Sequence, residues 1–587
     1  LEPSLEQLQE VVVTALGISR EQKALGYAVS TIDSKDLTKT GTTSFATALY
    51  GKAPGVRISQ TPGGATSAVN INIRGVNSIT GKNQPLIVID GVPIRDGEVQ
   101  NNNYWNDQRL RGNGLLDINP EDIANISILK GASAAALYGS EAVNGVVLIT
   151  SKSGKGTKGW GVDLYTTYSV DNVAYLPQYQ NVRGAGIAKN VVELGADDNG
   201  FVWYDTDGDG TKETRGIPQA SINFGAKFDG QPTMAWDGIV RPFNAQEDNY
   251  AALFQTGTNS STTVGMTHAT DVSNVRLSLT HNSNEGVSLD SKNTKNVVNF
   301  NSSFKLGKNY TVDVVVNYIN QVIKNRPYSV DRLMNNFAGM MGRFDNGDWY
   351  LDKYMTSKGY KYVMGTNQSL TPDENIKYNG IRTDIADFVW NVKENNPTET
   401  SNRVIGILTN TWQIVDGLKL RGRLSTDYTT RATSSSSTSS IPLAFGYSGG
   451  FSLDSYQDRL LYGDVMLMYN KDITQDFEIG AMVGYTGSEQ KWVTINRGTD
   501  GGLSTENLFD IAASVNTPWS GSSRSAIVKD AVLGTINGNY KNFLFLEGTL
   551  RNDRTSTMNP DNNSFFYPSV NSGFVFSEAF QLPTAVS

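Results

Sequence analysis

Asn309-Tyr310-Thr311-Val312-Asp313-Val314-Val315-Val316-Asn317-Tyr318 is the stretch that decides the fold. Side chains alternate along an extended chain. Tyr310, Val312, Val314, Val316 and Tyr318 therefore share one face, and Asn309, Thr311, Asp313 and Asn317 the other. The apolar face begins and ends on an aromatic. At about 3.3 Å per residue, Tyr310 to Tyr318 spans about 26 Å, near the apolar band of an outer-membrane strand with its aromatic girdles.

The same grammar recurs. Trp160, Val162, Leu164 and Tyr168 alternate with Gly161, Asp163, Tyr165 and Ser169. Leu418, Leu420, Leu424 and Tyr428 alternate with Lys419, Arg421, Arg423 and Asp427. Phe477, Ile479, Ala481, Val483 and Tyr485 alternate with Glu478, Gly480, Met482 and Gly484. Alternation alone fits a soluble sheet with a wet outer face as well as a barrel with a wet lumen. Connection lengths favour the barrel. Short turns (Leu306-Gly307-Lys308-Asn309, Val415-Asp416-Gly417-Leu418, Tyr540-Lys541-Asn542-Phe543) interleave with long connections near 171–260 and 321–401. The Ser/Thr run Thr433–Ser440 is placed in another loop. Short turns on one rim and long loops on the other mark a transmembrane barrel, and soluble domains rarely carry long structureless loops.

Composition narrows the function. At about 150 residues per domain, 587 residues would make three or four ordinary domains. Charged residues are 18% against about 25% in ordinary globular chains, while Gly is 58 of 587 and aromatics 10%. The absence of Cys excludes a disulfide scaffold, a zinc ribbon and a thiol enzyme. His268 and His281 are the only histidines, which leaves almost no room for a His-based metal site or triad. A net charge of −8 without a basic block argues against nucleic acid as a partner. No apolar run reaches the roughly 18 residues of a membrane-crossing helix, a test that β-strands escape. Leu1-Glu2-Pro3 carries neither Met nor a leader pattern and reads as processed or trimmed.

Residues 1–158 read differently, as compact α+β text. Pro85–Gly91 is a buried strand closed by a turn, Ile126–Gly131 a second strand, Ala132–Leu137 a small-residue helix and Gly145–Thr150 a third strand. Gly55-Val56, Asn72–Ser78, Pro85–Ile94, Ile128–Gly139 and Gly145–Gly154, in that order, resemble the plug of TonB-dependent outer-membrane transporters. The wording is closest to the SusC-like branch, which imports glycans or peptides in Bacteroidota. The resemblance covers essentially all of 1–158, and the remainder resembles the family by pattern alone.

The resemblance implies a mainly β protein. It has a TonB-box and flexible segment at 1–20, an α+β plug at 21–158 and a transmembrane antiparallel β-barrel at 159–587. A lumen that holds such a plug needs about 22 strands, whereas only about twelve to fourteen are countable by alternation. Family members end on an amphipathic strand with a terminal aromatic. This chain ends Gln581-Leu582-Pro583-Thr584-Ala585-Val586-Ser587. It is therefore expected to stop inside the barrel, its C-terminal strands missing, because open edges in lipid are forbidden. Further implications are an outer-membrane location in a Gram-negative bacterium, a SusD-like surface lipoprotein as lid and energy from the TonB–ExbB–ExbD complex. The function implied is active import of an oligosaccharide or peptide, without enzymatic chemistry or a required cofactor. Alternatives are a binding-only receptor or adhesin, a siderophore- or cobalamin-type receptor, and a soluble carbohydrate enzyme.

Three segments are candidate sites. In Glu10-Val11-Val12-Val13-Thr14-Ala15 a β-branched run can add as a strand to a partner sheet, and the resemblance puts the TonB box here. The competing reading is the first strand of the plug, which a single apolar triplet serves poorly. In the plug loop Arg95–Gly112, Asn101, Asn102, Asn103, Tyr104, Trp105, Asp107 and Arg109 combine stacking faces with directional hydrogen-bonding groups for a sugar or peptide. A solvated loop against the barrel wall is the plainer reading. In Asp205-Thr206-Asp207-Gly208-Asp209-Gly210-Thr211-Lys212-Glu213, Asp205, Asp207, Asp209, Thr211 and Glu213 follow a Ca²⁺-loop spacing, although Gly216 stands where the last acid belongs. A structural Ca²⁺ is the expectation and a plain acidic turn the alternative. Gly154-Lys155-Gly156-Thr157 lacks the P-loop pattern and reads as the plug-to-barrel linker.

Overall fold

The computed structural model describes residues 11–13, 19–21, 29–38, 45–60, 69–76, 78–79, 83–95, 114–130, 137–156, 159–186, 195–220, 222–327, 341–364, 370–378, 380–446 and 448–580. The helix expected at Ala132–Leu137 lies almost wholly outside them.

The first strands are β1 (Val11–Val13), β2 (Ser19–Glu21), β3 (Val29–Asp33), β4 (Val56–Gln60), β5 (Val69–Ile73), β6 (Leu86–Ile89), β7 (Val92–Pro93), β8 (Ile123–Leu129) and β9 (Val146–Ser151). A five-stranded sheet in the order β3-β8-β9-β6-β7 forms the centre of the plug, with β6 and β9 parallel. The apolar run of β6 is buried on both faces. Ile87 and Ile89 join Ile126, Ile128, Val147 and Ile149 in the plug core. Val88 packs on the opposite side, in a cluster that includes Leu129, Val146 and Leu148 and three wall residues, Met466, Met482 and Leu533. Asp90 and Gly91, both at positive φ (48° and 84°), turn β6 tightly onto β7. Gly145 is required on two counts. Its φ is +92°, and a Cβ would sit 2.9 Å from both Ile73 Cδ1 and the Leu129 carbonyl oxygen.

A second sheet of twelve strands runs antiparallel with sequential neighbours throughout. It consists of β10 (Gly159–Asp171) and β15–β25. Between β10 and β15 lie the short strands β11 (Val202–Tyr204), β12 (Thr214–Gly216), β13 (Pro232–Met234) and β14 (Val240–Pro242). The wall continues as β15 (Gly257–Ala269), β16 (Ser273–Glu285), β17 (Lys292–Leu306), β18 (Tyr310–Lys324), β19 (Thr398–Val415) and β20 (Leu418–Ser437). It ends with β21 (Gly450–Asp472), β22 (Phe477–Gly498), β23 (Trp519–Tyr540), β24 (Leu544–Thr555) and β25 (Ser564–Phe574). Among the described residues this wall does not close: β10 and β25 are its edges.

Period two is expressed as two chemically different faces. Along β20, Arg421, Arg423, Ser425, Asp427 and Thr429 are buried towards the plug, while Leu424 and Tyr428 are 55% and 38% exposed on the outside. Outward Val465, Val483, Val532, Ile536, Leu546 and Leu550 carry the apolar band across four neighbouring strands. Such a belt marks a lipid-facing surface. Arg in lipid at mid-depth costs about 2–4 kcal/mol, which fixes which face is wet. Spin labels at 421 and 424 should accordingly show opposite accessibility to water-soluble and lipid-soluble quenchers; equal accessibility would reject the barrel assignment of β20.

The Ser/Thr run placed in a loop is corrected by the pairing. Thr433 to Ser437 continue β20, because β21 pairs with it as far as Ser437 opposite Gly450 and β19 as far as Ser434 opposite Thr398. The two long connections are not structureless either. The described residues of 172–256 and 325–397 fold together on one rim around Trp236, Tyr250, Met341, Tyr350, Ile385 and Val389. They include the four-stranded sheet β11–β14 and a helix at Thr383–Glu394.

Within this loop unit, Asp345 is buried and accepts hydrogen bonds from Trp236 Nε1 (2.9 Å) and the Tyr350 hydroxyl (2.6 Å). Burial pushes its carboxyl up to about 7. The raised value means that the folded unit holds the proton which the unfolded chain releases near pH 4. The unit should thus lose stability as pH rises from about 4 to about 7. Asp345→Asn, which keeps an acceptor for Trp236, should flatten that dependence. Thermal melts of both proteins across the interval check this, and parallel slopes would contradict it.

Candidate functional site

The plug is held on the wet face of the wall by charged groups that the strands present at alternate positions. Arg403 on β19 is buried and donates to Asp427 Oδ1 and Oδ2 (2.9 and 2.7 Å), Asp117 Oδ2 (2.7 Å), the Gly114 carbonyl (3.0 Å) and the Arg95 carbonyl (2.8 Å). One guanidinium thus ties two strands of wall to both ends of the plug segment that leaves at Arg95 and returns at Gly114. Arg95 itself donates its backbone N–H to Asp427 Oδ2 (3.0 Å) and Nη2 to Thr429 (3.1 Å), and pairs with Asp458.

Other ties flank this one. Arg276 on β16 donates to plug Asp122 (2.7 Å), and Asn119 donates to Thr280 (2.9 Å). Arg423 donates to the Asp90 carbonyl (3.3 Å), and Arg551 to the Leu137 carbonyl (2.6 Å). Several of these bonds are charge-assisted and all are buried or partly buried, so they hold strongly when complete and cost much when broken. Sequence reading found the inward charges of β20, Asp427 among them, but not Arg403, Arg276 or the pairs they form. Alternation marks an inward charge without naming what it meets.

The acidic segment is the tip of the β11–β12 hairpin, on the long-loop rim. One carboxylate oxygen from each of Asp205, Asp207, Asp209 and Glu213 lies within 4.8 Å of the others. Backbone N–H groups of Gly208 and Gly210 donate to Asp205 (2.7 and 2.9 Å), and that of Thr211 to Asp209 (2.6 Å). Hydrogen bonds from Thr206 hold the Glu213 carboxyl below its ordinary range.

Val11–Val13 is an extended strand, paired antiparallel with Ser19–Glu21 in a sheet separate from that of the plug core. Glu10, Thr14 and Ala15 lie outside the described residues. So do Asn101, Asn102, Asn103, Tyr104, Trp105, Asp107 and Arg109; the structure places only the anchors on either side, Arg95 and Gly114.

Residues 21–146 match the family profile of the TonB-dependent Receptor Plug Domain. The TonB-dependent receptor SusC of Bacteroides thetaiotaomicron is 39% identical over 155 residues, which is 26% of this chain and 14% of that protein. These residues form a plug domain of the TonB-dependent receptor type, similar in sequence to that of SusC. TonB-dependent receptor P26 of Formosa agariphila is 35% identical over 195 residues, 31% of this chain and 18% of its own length. The RagAB peptide importer in its open-open state shares the fold, with a TM-score of 0.71 at 16% identity over 98% of this chain. The present chain spans 60% of the length of that RagAB chain.

Proposed function

We propose that this chain is a SusC-like receptor, the outer-membrane component of energised, TonB-dependent nutrient import in a Gram-negative bacterium. The cargo is an oligosaccharide or peptide, captured under a SusD-like surface lipoprotein, with no covalent chemistry. The observation that carries the reading is the plug bound by buried ion pairs to the wet face of a wall whose other face is apolar. A lumen filled this way is no passive pore. Cargo passes only if work displaces those contacts, and an extended segment such as Val11–Val13 offers the place to apply it. The plug segment with Tyr104 and Trp105 is assigned to cargo contact. Uptake of labelled cargo should stop when TonB is deleted, while binding at the cell surface persists. Uptake that survives the deletion would favour a binding-only or passive protein.

We also assign the β11–β12 tip to a structural Ca²⁺. Three Asp and one Glu converging on one point suit a hard cation, with the Thr211 carbonyl at the seventh position of the loop. Calorimetry should show Ca²⁺ binding that Asp205→Asn with Asp207→Asn abolishes. Absence of binding at millimolar Ca²⁺ would reduce the tip to an acidic turn.

A further inference from the structure

A cavity of about 1090 Å³ lies between the plug and the wall on the rim of short turns, opposite the folded loops. The turn residues Asp416, Gly417 and Asn542 line its mouth, and plug residues Asp90 and Ser151 form part of its roof. Lys419, Arg421 and Arg423 line it from β20, successive inward positions that form a column from mouth to roof.

The three cations are not equally engaged. Arg423 donates Nε to Asp464 Oδ2 (2.8 Å) and Nη1 to the Asp90 carbonyl (3.3 Å). Asp464 Oδ2 is thereby committed, while Oδ1, itself without a hydrogen-bond partner among the described residues, stands 3.8 Å from Arg421 Nη2, within ion-pair range but beyond hydrogen-bond reach. Arg421 is 93% buried (7% exposed), yet its Nε and Nη2 have no hydrogen-bond partner among the described residues. Its cross-strand neighbours are Thr411 and Met466, neither of them acidic. The remaining carboxylates of the cavity are Asp90, Asp313, Asp416, Glu478 and Glu547. Of these, Asp90 accepts from Ser151, and Glu478 from Asn470 and Asn539. A guanidinium is a rigid fork of donors that matches a carboxylate, and leaving its donors unmet when buried is costly.

We propose that this cavity is a second ligand site, on the exit side of the plug, that binds a carboxylate-bearing solute through Arg421. The site goes beyond the import reading, since binding there is measured without transport. A peptide C-terminus and an acidic sugar both present the required group.

The test is calorimetry on the full chain purified in detergent. The probes are trialanine against its C-terminal amide, and digalacturonic acid against its dimethyl ester. At least one acid should bind, and its neutral form at least about tenfold more weakly. Binding of trialanine alone identifies a peptide source, of digalacturonate alone a sugar source, and of both a site that reads the carboxylate only. Arg421→Gln should weaken the bound acid by about 10- to 100-fold, the range for a charged hydrogen bond. Thr411→Asp, which sets a competing carboxylate beside an intact Arg421, should do the same and keeps the test open if Arg421→Gln folds poorly. The proposal is overturned if neither acid binds, if neutral and acid forms bind alike, or if a folded variant binds the acid as the unaltered chain does.

Discussion

On the proposed import function, Val12→Pro is expected to leave this protein folded, inserted and able to bind cargo, while abolishing uptake. Val12 stands opposite Arg20 in a two-stranded sheet of three residues per strand. So small a sheet, separate from the plug sheet, adds little to stability. A partner that adds a strand here does so through backbone hydrogen bonds, so side-chain changes that keep the chain extended, such as Val12→Thr, should be tolerated. Proline removes one donor and restricts the residue before it, which breaks the register of any added strand. The pairing with Ser19–Glu21 adds a condition that the sequence did not suggest. The partner must use the other edge of β1, unpaired among the described residues, or displace β2. Binding and uptake are to be measured separately in cells. Normal uptake by Val12→Pro would remove the handle assignment and favour a binding-only receptor, whereas loss of folding would make the run part of the plug core.

Arg403→Met should loosen the plug more than any other single change in the wall. It leaves Asp427 and Asp117 without their shared cation and frees the carbonyls of Arg95 and Gly114. Removing one member of a buried ionic network costs about 3–5 kcal/mol, chiefly because the remaining charges stay buried. Asp427 retains Arg95, so the wall itself should still assemble. The expected signature is local: faster amide exchange at 90–95 and 114–122, and raised ion conductance in planar bilayers. Arg403→Lys should recover only part of the protection, since an ammonium cannot reproduce the planar fork. Unchanged exchange at both segments would show that apolar packing of Val88, Leu129 and Leu148 against the wall is what holds the plug.

The sequence by itself determined the class of fold and the sidedness of the wall. Strand alternation is local: whether Arg421 and Leu424 face opposite ways depends only on their separation, so the outward belt and inward charges were legible before any contact was known. Short Gly- and Asn-bearing turns were legible for the same reason, and the plug was legible because its motifs fall in order. Only the tertiary structure decided which charge meets which. Arg403 reaches Asp117 across 286 residues, and Arg551 reaches the Leu137 carbonyl across 414. No spacing encodes such pairs, because the closure of long loops leaves partners free in sequence. Tertiary pairing likewise carried β20 through the Ser/Thr run as far as Ser437, where intrinsic preference points to a loop but β21 supplies the pairing, with β19 beside it up to Ser434. It also joined two remote connections into one unit around Trp236 and Tyr350, whose rings lie 4.6 Å apart. Their apolar residues follow no single period, so nothing in either connection read alone shows that each completes the core of the other.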